Sequence, residues 1–218
     1  NQFEVSRSTI RKALDELEKE GYVKKSQGKG TVVSEPKITP LAALTSFSEN
    51  MQAAGLQPSY DTKLIKKCSP PRQVADFFEV YPDNDGGVLY IKRILKADDE
   101  PIAIQNAYLP TKTIEPHIEL FNETYLDNHS MYNLLEEKCS VDLWTAEEEI
   151  DASLSGGEEE ALLEMDSRKP LLVIRRKTSG RDDKPIEFVK LIFRADKYHY
   201  KFKLSRQDYE TKLNQPGL

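Results

Sequence analysis

Apolar side chains at Ile10, Ala13, Leu14 and Leu17 recur at intervals of three and four, which at about 100° per residue lines one stripe of a helix. Ser6 stands where such a helix needs an N-cap, and Gly21 supplies its C-terminal stop. Ser8, Arg11 and Lys12 fall on the opposite face, with Arg7 at its edge. The period then changes. Tyr22-Val23-Lys24-Lys25 and Thr31-Val32-Val33 are short β runs around Gln27-Gly28-Lys29-Gly30, a pattern that predicts a hairpin. Pro36 and Pro40 make residues 34–40 an extended, semi-rigid linker.

Beyond the linker, strand-like and helical stretches alternate. Helical spacing covers residues 48–54, with Gly55 as terminator, and again 72–80, 131–138 and 157–165, the last capped by Ser155. Strand patterns cover 61–67, 88–97, 102–109, 141–154, 171–178 and 186 to about 202. Ala97-Asp98-Asp99-Glu100-Pro101-Ile102 and Arg181-Asp182-Asp183-Lys184-Pro185-Ile186 echo each other as hairpin turns, each with acids in the loop and proline opening the outgoing strand. These features predict an α+β fold, an antiparallel sheet with helices on one side.

Charge divides the chain. Net charge is −6 over 218 residues, yet residues 1–33 carry seven basic residues (Arg7, Arg11, Lys12, Lys19, Lys24, Lys25, Lys29) against five acids, a local +2 that leaves −8 for the remainder. The basic residues gather in the first turns of the helix and in the hairpin. A helix with a basic leading end followed by a glycine-tipped hairpin is what a winged helix-turn-helix presents to DNA, with the wing backbone approaching closely where no side chain intervenes. The alternative is an ordinary solvated helix face. No run approaches the roughly 18 apolar residues of a membrane span, and a cytoplasmic location is expected. Cys68 and Cys139 lack metal-ligand spacing and read as reduced core thiols. The first residue is not Met, and the opening residues read as the middle of an element, so part of a natural N-terminus is expected to be missing.

The stretch from Phe3 to Val33, with Ser6-Arg7-Ser8-Thr9-Ile10-Arg11-Lys12-Ala13-Leu14 and Gly28-Lys29-Gly30-Thr31-Val32-Val33, resembles the second half of the DNA-binding domain of the GntR family of bacterial transcription regulators. Val32 stands where the family more often has an aromatic residue. The resemblance implies that Arg7, Ser8, Thr9 and Arg11 meet bases and phosphates, with Gln27, Gly28, Lys29 and Gly30 in the wing. Further along, Leu44 to Met51, Arg93, Asp99-x-Pro101, Ser130-Met131-Tyr132, Pro170 to Arg176, Pro185-x-Glu187 and Phe193 to Tyr198 resemble the UTRA effector-binding domain of the HutC branch, which shares its fold with chorismate lyase. The expected units are a truncated winged helix-turn-helix at 1–34, a linker at 35–42 and a UTRA domain at 43–212.

In the branch that senses amino-sugar phosphates, the resemblance places effector contacts at Phe47, Ser48, Arg93, Ser130, Tyr132 and Glu187. Three positions depart from that pattern: Leu95 replaces a second arginine, Gln105 a glutamate and Phe193 a tyrosine. Losing one guanidinium removes a contact of roughly 1.5–3 kcal/mol, which makes a doubly charged sugar phosphate less secure than a less charged sugar, carboxylate or amine. Arg93 reads alternatively as a surface residue paired with Asp98 or Asp99, and Glu187 as a half-exposed strand acid. Arg175-Arg176-Lys177 is either an exposed strand edge or part of the pocket. Trp144 and the tyrosines read as core, and Glu147 to Glu149 and Glu158 to Glu160 as solvated faces. No catalytic, metal or cofactor constellation is present in the motifs. The reading is a dimeric, ligand-controlled transcription repressor acting on a palindromic operator. Its rivals are an enzyme with a chorismate-lyase-like domain and a module that binds protein through its winged unit.

Overall fold

The structure is a computed structural model, and it describes residues 5–19, 21–26, 30–33, 36–80 and 87–204. At its N-terminal end, α1 (Arg7–Lys19) begins at Ser6, whose Oγ accepts a hydrogen bond from the Thr9 N–H at 3.1 Å. Strands β1 (Val23–Ser26) and β2 (Gly30–Val33) form the expected hairpin, pairing Val23 with Val33 and Ser26 with Gly30. Gly30 has φ +84°, a conformation that side-chain-bearing residues rarely adopt. Gln27, Gly28 and Lys29, assigned to the wing, lie outside the described residues. Ile10 and Leu17 on the apolar stripe of α1 remain 47 % and 38 % exposed, because among the described residues little is packed over them.

The larger unit is a six-stranded antiparallel sheet in the order β3-β4-β5-β8-β7-β6. Its strands are β3 (Pro58–Cys68), β4 (Val88–Ala97), β5 (Glu100–Pro110), β6 (Leu143–Leu154), β7 (Pro170–Gly180) and β8 (Pro185–Arg194). Both echoed turns are hairpins. Asp98 and Asp99 take φ of 47° and 65°, the left-handed pair that a tight two-residue turn requires. The expectation that helices cover one side is corrected: both faces are covered. On one face lie α2 (Phe47–Ala53) and the short helical turns α4 (Thr111–Ile114), α5 (Glu123–Leu126) and α6 (Met131–Asn133), burying Leu89, Ile91 and Leu135. On the other, α3 (Arg72–Phe78) packs on Phe188, and Leu163 at the end of α7 (Gly157–Leu162) packs on Ile94, Ile104 and Ile192. The physical reason is that the central strands are apolar at both parities.

Several boundaries moved, each for a local reason. The last strand stops at Arg194 instead of running to 202, because Tyr198 N–H donates back to the Arg194 carbonyl and turns the chain. The turned segment then bridges to Ile38, which donates to the Lys197 carbonyl at 2.8 Å and accepts from the His199 N–H at 3.1 Å. Linker residue 38 is thus anchored in the core of the larger unit. The expected helix over 131–138 is α-helical for one turn and then widens, with the Cys139 N–H reaching the Leu134 carbonyl. Ser155 does not cap α7. The cap is Gly156, whose N–H donates to Glu159, while Ser155 donates to Glu160 and accepts from the Lys169 N–H. Trp144 is 52 % exposed, not core, with the Arg181 guanidinium 3.6 Å from its ring centroid. Cys68 and Cys139 are half-buried.

Candidate functional site

At the N-terminal end, capping by Ser6 directs the first turn of α1 outward, and Arg7, Ser8, Thr9, Arg11 and Lys12 are all exposed. Free N–H groups and basic side chains at one helix end suit a phosphate backbone. Lys25 is not part of that front. It forms ion pairs with Asp15 and with Glu18 (2.7 Å), and those contacts raise its pKa while lowering theirs. The acidic second half of α1 therefore spends its charge on the hairpin and leaves the leading end basic.

The second site is a cavity between the sheet and the α2 and α6 segments, enclosing about 530 Å³ with its mouth included. Of the sequence-assigned residues, Phe47, Arg93, Gln105, Ser130, Tyr132, Glu187 and Phe193 line it. Ser48 does not; its hydroxyl bonds to that of Ser46 at 3.0 Å. Strand alternation explains the gathering. Arg93 pairs in register with Gln105, and Gln105 with Leu191, so these residues point to one face. The Ser46 cap and its reciprocal bonds with Glu49 set α2 over that face.

Arg93 is 1 % exposed and has no partner in Asp98 or Asp99. Its Nε donates to Gln105 Oε1 (2.9 Å), its Nη1 to the Leu126 and His129 carbonyls (3.1 and 3.2 Å), and its guanidinium lies 4.6 Å from the Tyr60 ring centroid. Burial holds its pKa below the ordinary guanidinium value, against the pull of Tyr60, Glu187 and Asp127. Glu187 is also 1 % exposed rather than half-exposed. Burial pushes its carboxyl up to about 7, although Arg176 and Arg93 favour the charge. Glu187 Oε1 and Tyr60 Oη are buried without a hydrogen-bond partner among the described residues. A buried orphan acceptor in a cavity is costly unless a ligand supplies the missing partner.

Sequence reasoning left Arg176 open, and the structure puts it in this cavity. Its Nε donates to Glu148 (2.6 Å) and its Nη1 to the Thr45 carbonyl (3.1 Å) and Tyr132 hydroxyl (3.2 Å). Burial opposes its charge, but Tyr132 and Glu148 more than compensate and its pKa is raised. Arg175 and Lys177, at the other parity, pair with Asp151 and Glu147. Glu148 accordingly belongs to the cavity wall's support, and it also accepts from the Tyr200 hydroxyl at 3.1 Å. Thr45, Ser46, Asn50, Tyr60, Met131, Tyr198 and Tyr200 also line it, with Leu95, Val189 and Leu191 on the sheet. Their signal in the sequence was weak, since an isolated tyrosine is as readily core as site.

The model of the bacterial regulatory proteins of the gntR family matches residues 1–33, and that of the UTRA domain matches residues 53–199. The transcriptional repressor NagR of Bacillus subtilis is 32 % identical over 211 residues, covering 94 % of this chain and 83 % of its own. PhnF of Mycolicibacterium smegmatis, also named a transcriptional repressor, is 29 % identical over 90 % of this chain and 77 % of its own. The crystal structure of PhnF from Mycobacterium smegmatis superposes with a TM-score of 0.78 at 26 % identity, covering 94 % of this chain and 88 % of that one. With a capped basic helix and hairpin at one end and a UTRA domain enclosing a polar cavity at the other, the chain belongs to the gntR family and is a DNA-binding transcription regulator controlled by a small-molecule effector.

Proposed function

We propose that the protein is a dimeric, cytoplasmic repressor of the HutC branch, in which residues 1–34 read DNA, residues 35–42 link the units and residues 43–212 hold the effector. Arg7, Ser8, Thr9 and Arg11, with Gln27, Gly28, Lys29 and Gly30 of the wing, meet the duplex. Phe47, Arg93, Gln105, Ser130, Tyr132, Glu187 and Phe193 enclose the effector, with Ser48 behind Ser46. The observation that carries the reading is the pair of orphaned polar atoms, on Tyr60 and Glu187, in a cavity lined by two guanidinium groups. Repression is supported by the names of NagR and PhnF. Dimerisation follows from recognition: one small reader contacts few base pairs, and a two-fold pair doubles the contacts on a palindrome. No described helix is long and apolar enough to cross a membrane.

An effector bound in the cavity biases the chain toward an arrangement whose readers no longer match the half-sites. Coupling of this kind requires differential affinity for the two arrangements. The test is fluorescence anisotropy of the full chain on its own upstream region, over a salt series and with candidate metabolites. Operator binding that falls steeply with salt and is altered by one metabolite class supports the reading. Salt-independent binding, or an effector affinity unchanged by saturating operator, refutes it.

A further inference from the structure

The effector cavity occupies one face of the sheet, and the other face carries a separate groove. Lys92, Asn106, Lys190 and Arg175 stand in direct register across β4, β5, β8 and β7, at the opposite parity to Arg93 and Gln105. The rows on either side are apolar and roofed: Tyr108 and Phe188 pack against α3, and Ile104 and Ile192 against Leu163 at the end of α7. The polar row lies between the two helices. It floors a groove of about 1030 Å³, open mouth included, walled by Arg72 and Gln73 of α3 and by Glu158 and Glu159 of α7. Like charges directly opposite on a sheet repel, and two of the three cations are neutralised, Lys92 by Glu158 and Arg175 by Asp151. Lys190 is exposed, and among the described residues its ammonium has no ion pair or hydrogen bond. Beside it, the Tyr90 hydroxyl donates to Asn106 Oδ1 at 2.7 Å. That turns the Asn106 amide N–H groups toward β8, where they reach the Lys190 carbonyl at 3.5 Å, too long for a strong bond.

We propose that this groove is a second ligand site, and that it takes an aromatic monocarboxylate. The carboxylate bridges the Lys190 ammonium and the Asn106 amide, and the ring stacks on Tyr108 beside Phe188. One unpaired cation calls for one anionic group, and a second would meet Glu158 and Glu159 across the groove. The ring follows from what the floor leaves open: Tyr108 is half-buried, with Phe188 edge-on to it at 6.4 Å, whereas Ile104 and Ile192 are already covered. A concavity with apolar walls and a few converging polar groups is the general form of a small-molecule site. The groove is independent of the effector cavity, because its strand residues share no face with Arg93, Arg176 or Glu187.

The test is calorimetric titration of the full chain with benzoate, phenylacetate and hydrocinnamate, which set the carboxylate at increasing distance from the ring, and with phenylacetamide and acetate, which lack the charge or the ring. At least one of the three acids is expected to bind wild type with a Kd below about 1 mM and more tightly than either control. Lys190→Gln should weaken that acid about 10-fold or more, and Tyr108→Leu should bring it toward the affinity of acetate. Lys190 is exposed, so the melting temperature of ligand-free Lys190→Gln should match wild type, which separates a lost contact from a lost fold. The proposal is overturned if none of the acids saturates the chain by about 1 mM, if phenylacetamide or acetate binds as tightly as the best of them, or if Lys190→Gln keeps wild-type affinity.

Discussion

Replacing Glu187 by Gln isolates the charge of a carboxyl that the fold buries between Arg93 and Arg176. Its pKa rises from 4.5 to about 7 on folding, a net figure that already contains the attraction of both arginines. Between those two values the folded chain binds more proton than the unfolded chain. Its contribution to stability is therefore complete below about pH 4.5 and is lost as pH climbs through about 7. At roughly 1.4 kcal/mol for each tenfold change in proton affinity, the loss amounts to about 3 kcal/mol by pH 8. Gln keeps the shape and an acceptor oxygen but cannot ionise. Glu187→Gln should then lie within about 1 kcal/mol of wild type near pH 5 and exceed it by about 3 kcal/mol at pH 8, or roughly 6–12 °C in Tm for a chain of this size. Thermal denaturation of both proteins from pH 5 to 8.5 reads the difference directly, because every other titrating group is shared. Two Tm curves that run parallel over that range would refute the burial argument.

Three other substitutions probe different parts of the molecule. Arg93→Met strips the donors from Gln105 and from the Leu126 and His129 carbonyls, and should lower stability by about 2–4 kcal/mol in urea unfolding; an unmoved midpoint would show that the strut holds nothing. Leu135→Ala empties a site with 0 % exposure beneath the sheet and should cost about 2–5 kcal/mol by the same measurement, with under 1 kcal/mol counting against the packing described. Arg11→Ala should weaken operator binding and reduce the magnitude of the salt slope by about one, and a flat response in anisotropy would remove α1 from the interface.

Local chemistry was legible because it acts over a few residues. Ser6, the 3.6-residue stripe and the glycine-centred reversal specify α1 and its hairpin, and paired aspartates specify the tight turn at residues 98–99. β4 begins and ends where alternation and turn residues say it should. Seven of the eight carried-over effector positions meet in one cavity, and the four on strands, Arg93, Gln105, Glu187 and Phe193, do so because residues at one strand parity share a face.

What no local pattern carries is which of several equivalent strand residues acquires a ceiling. Arg175, Arg176 and Lys177 are indistinguishable along the chain, yet register with Glu148 and the overlying Thr45 bury only the middle one in the cavity. Whether Glu187 is solvated or stranded, and whether the sheet is roofed on one face or two, depends on which helices the chain folds over each strand. Periodicity states that a side chain leaves one face of its strand; long-range packing alone settles what it meets there, because desolvation and pairing energies belong to neighbours that the chain brings in from a distance.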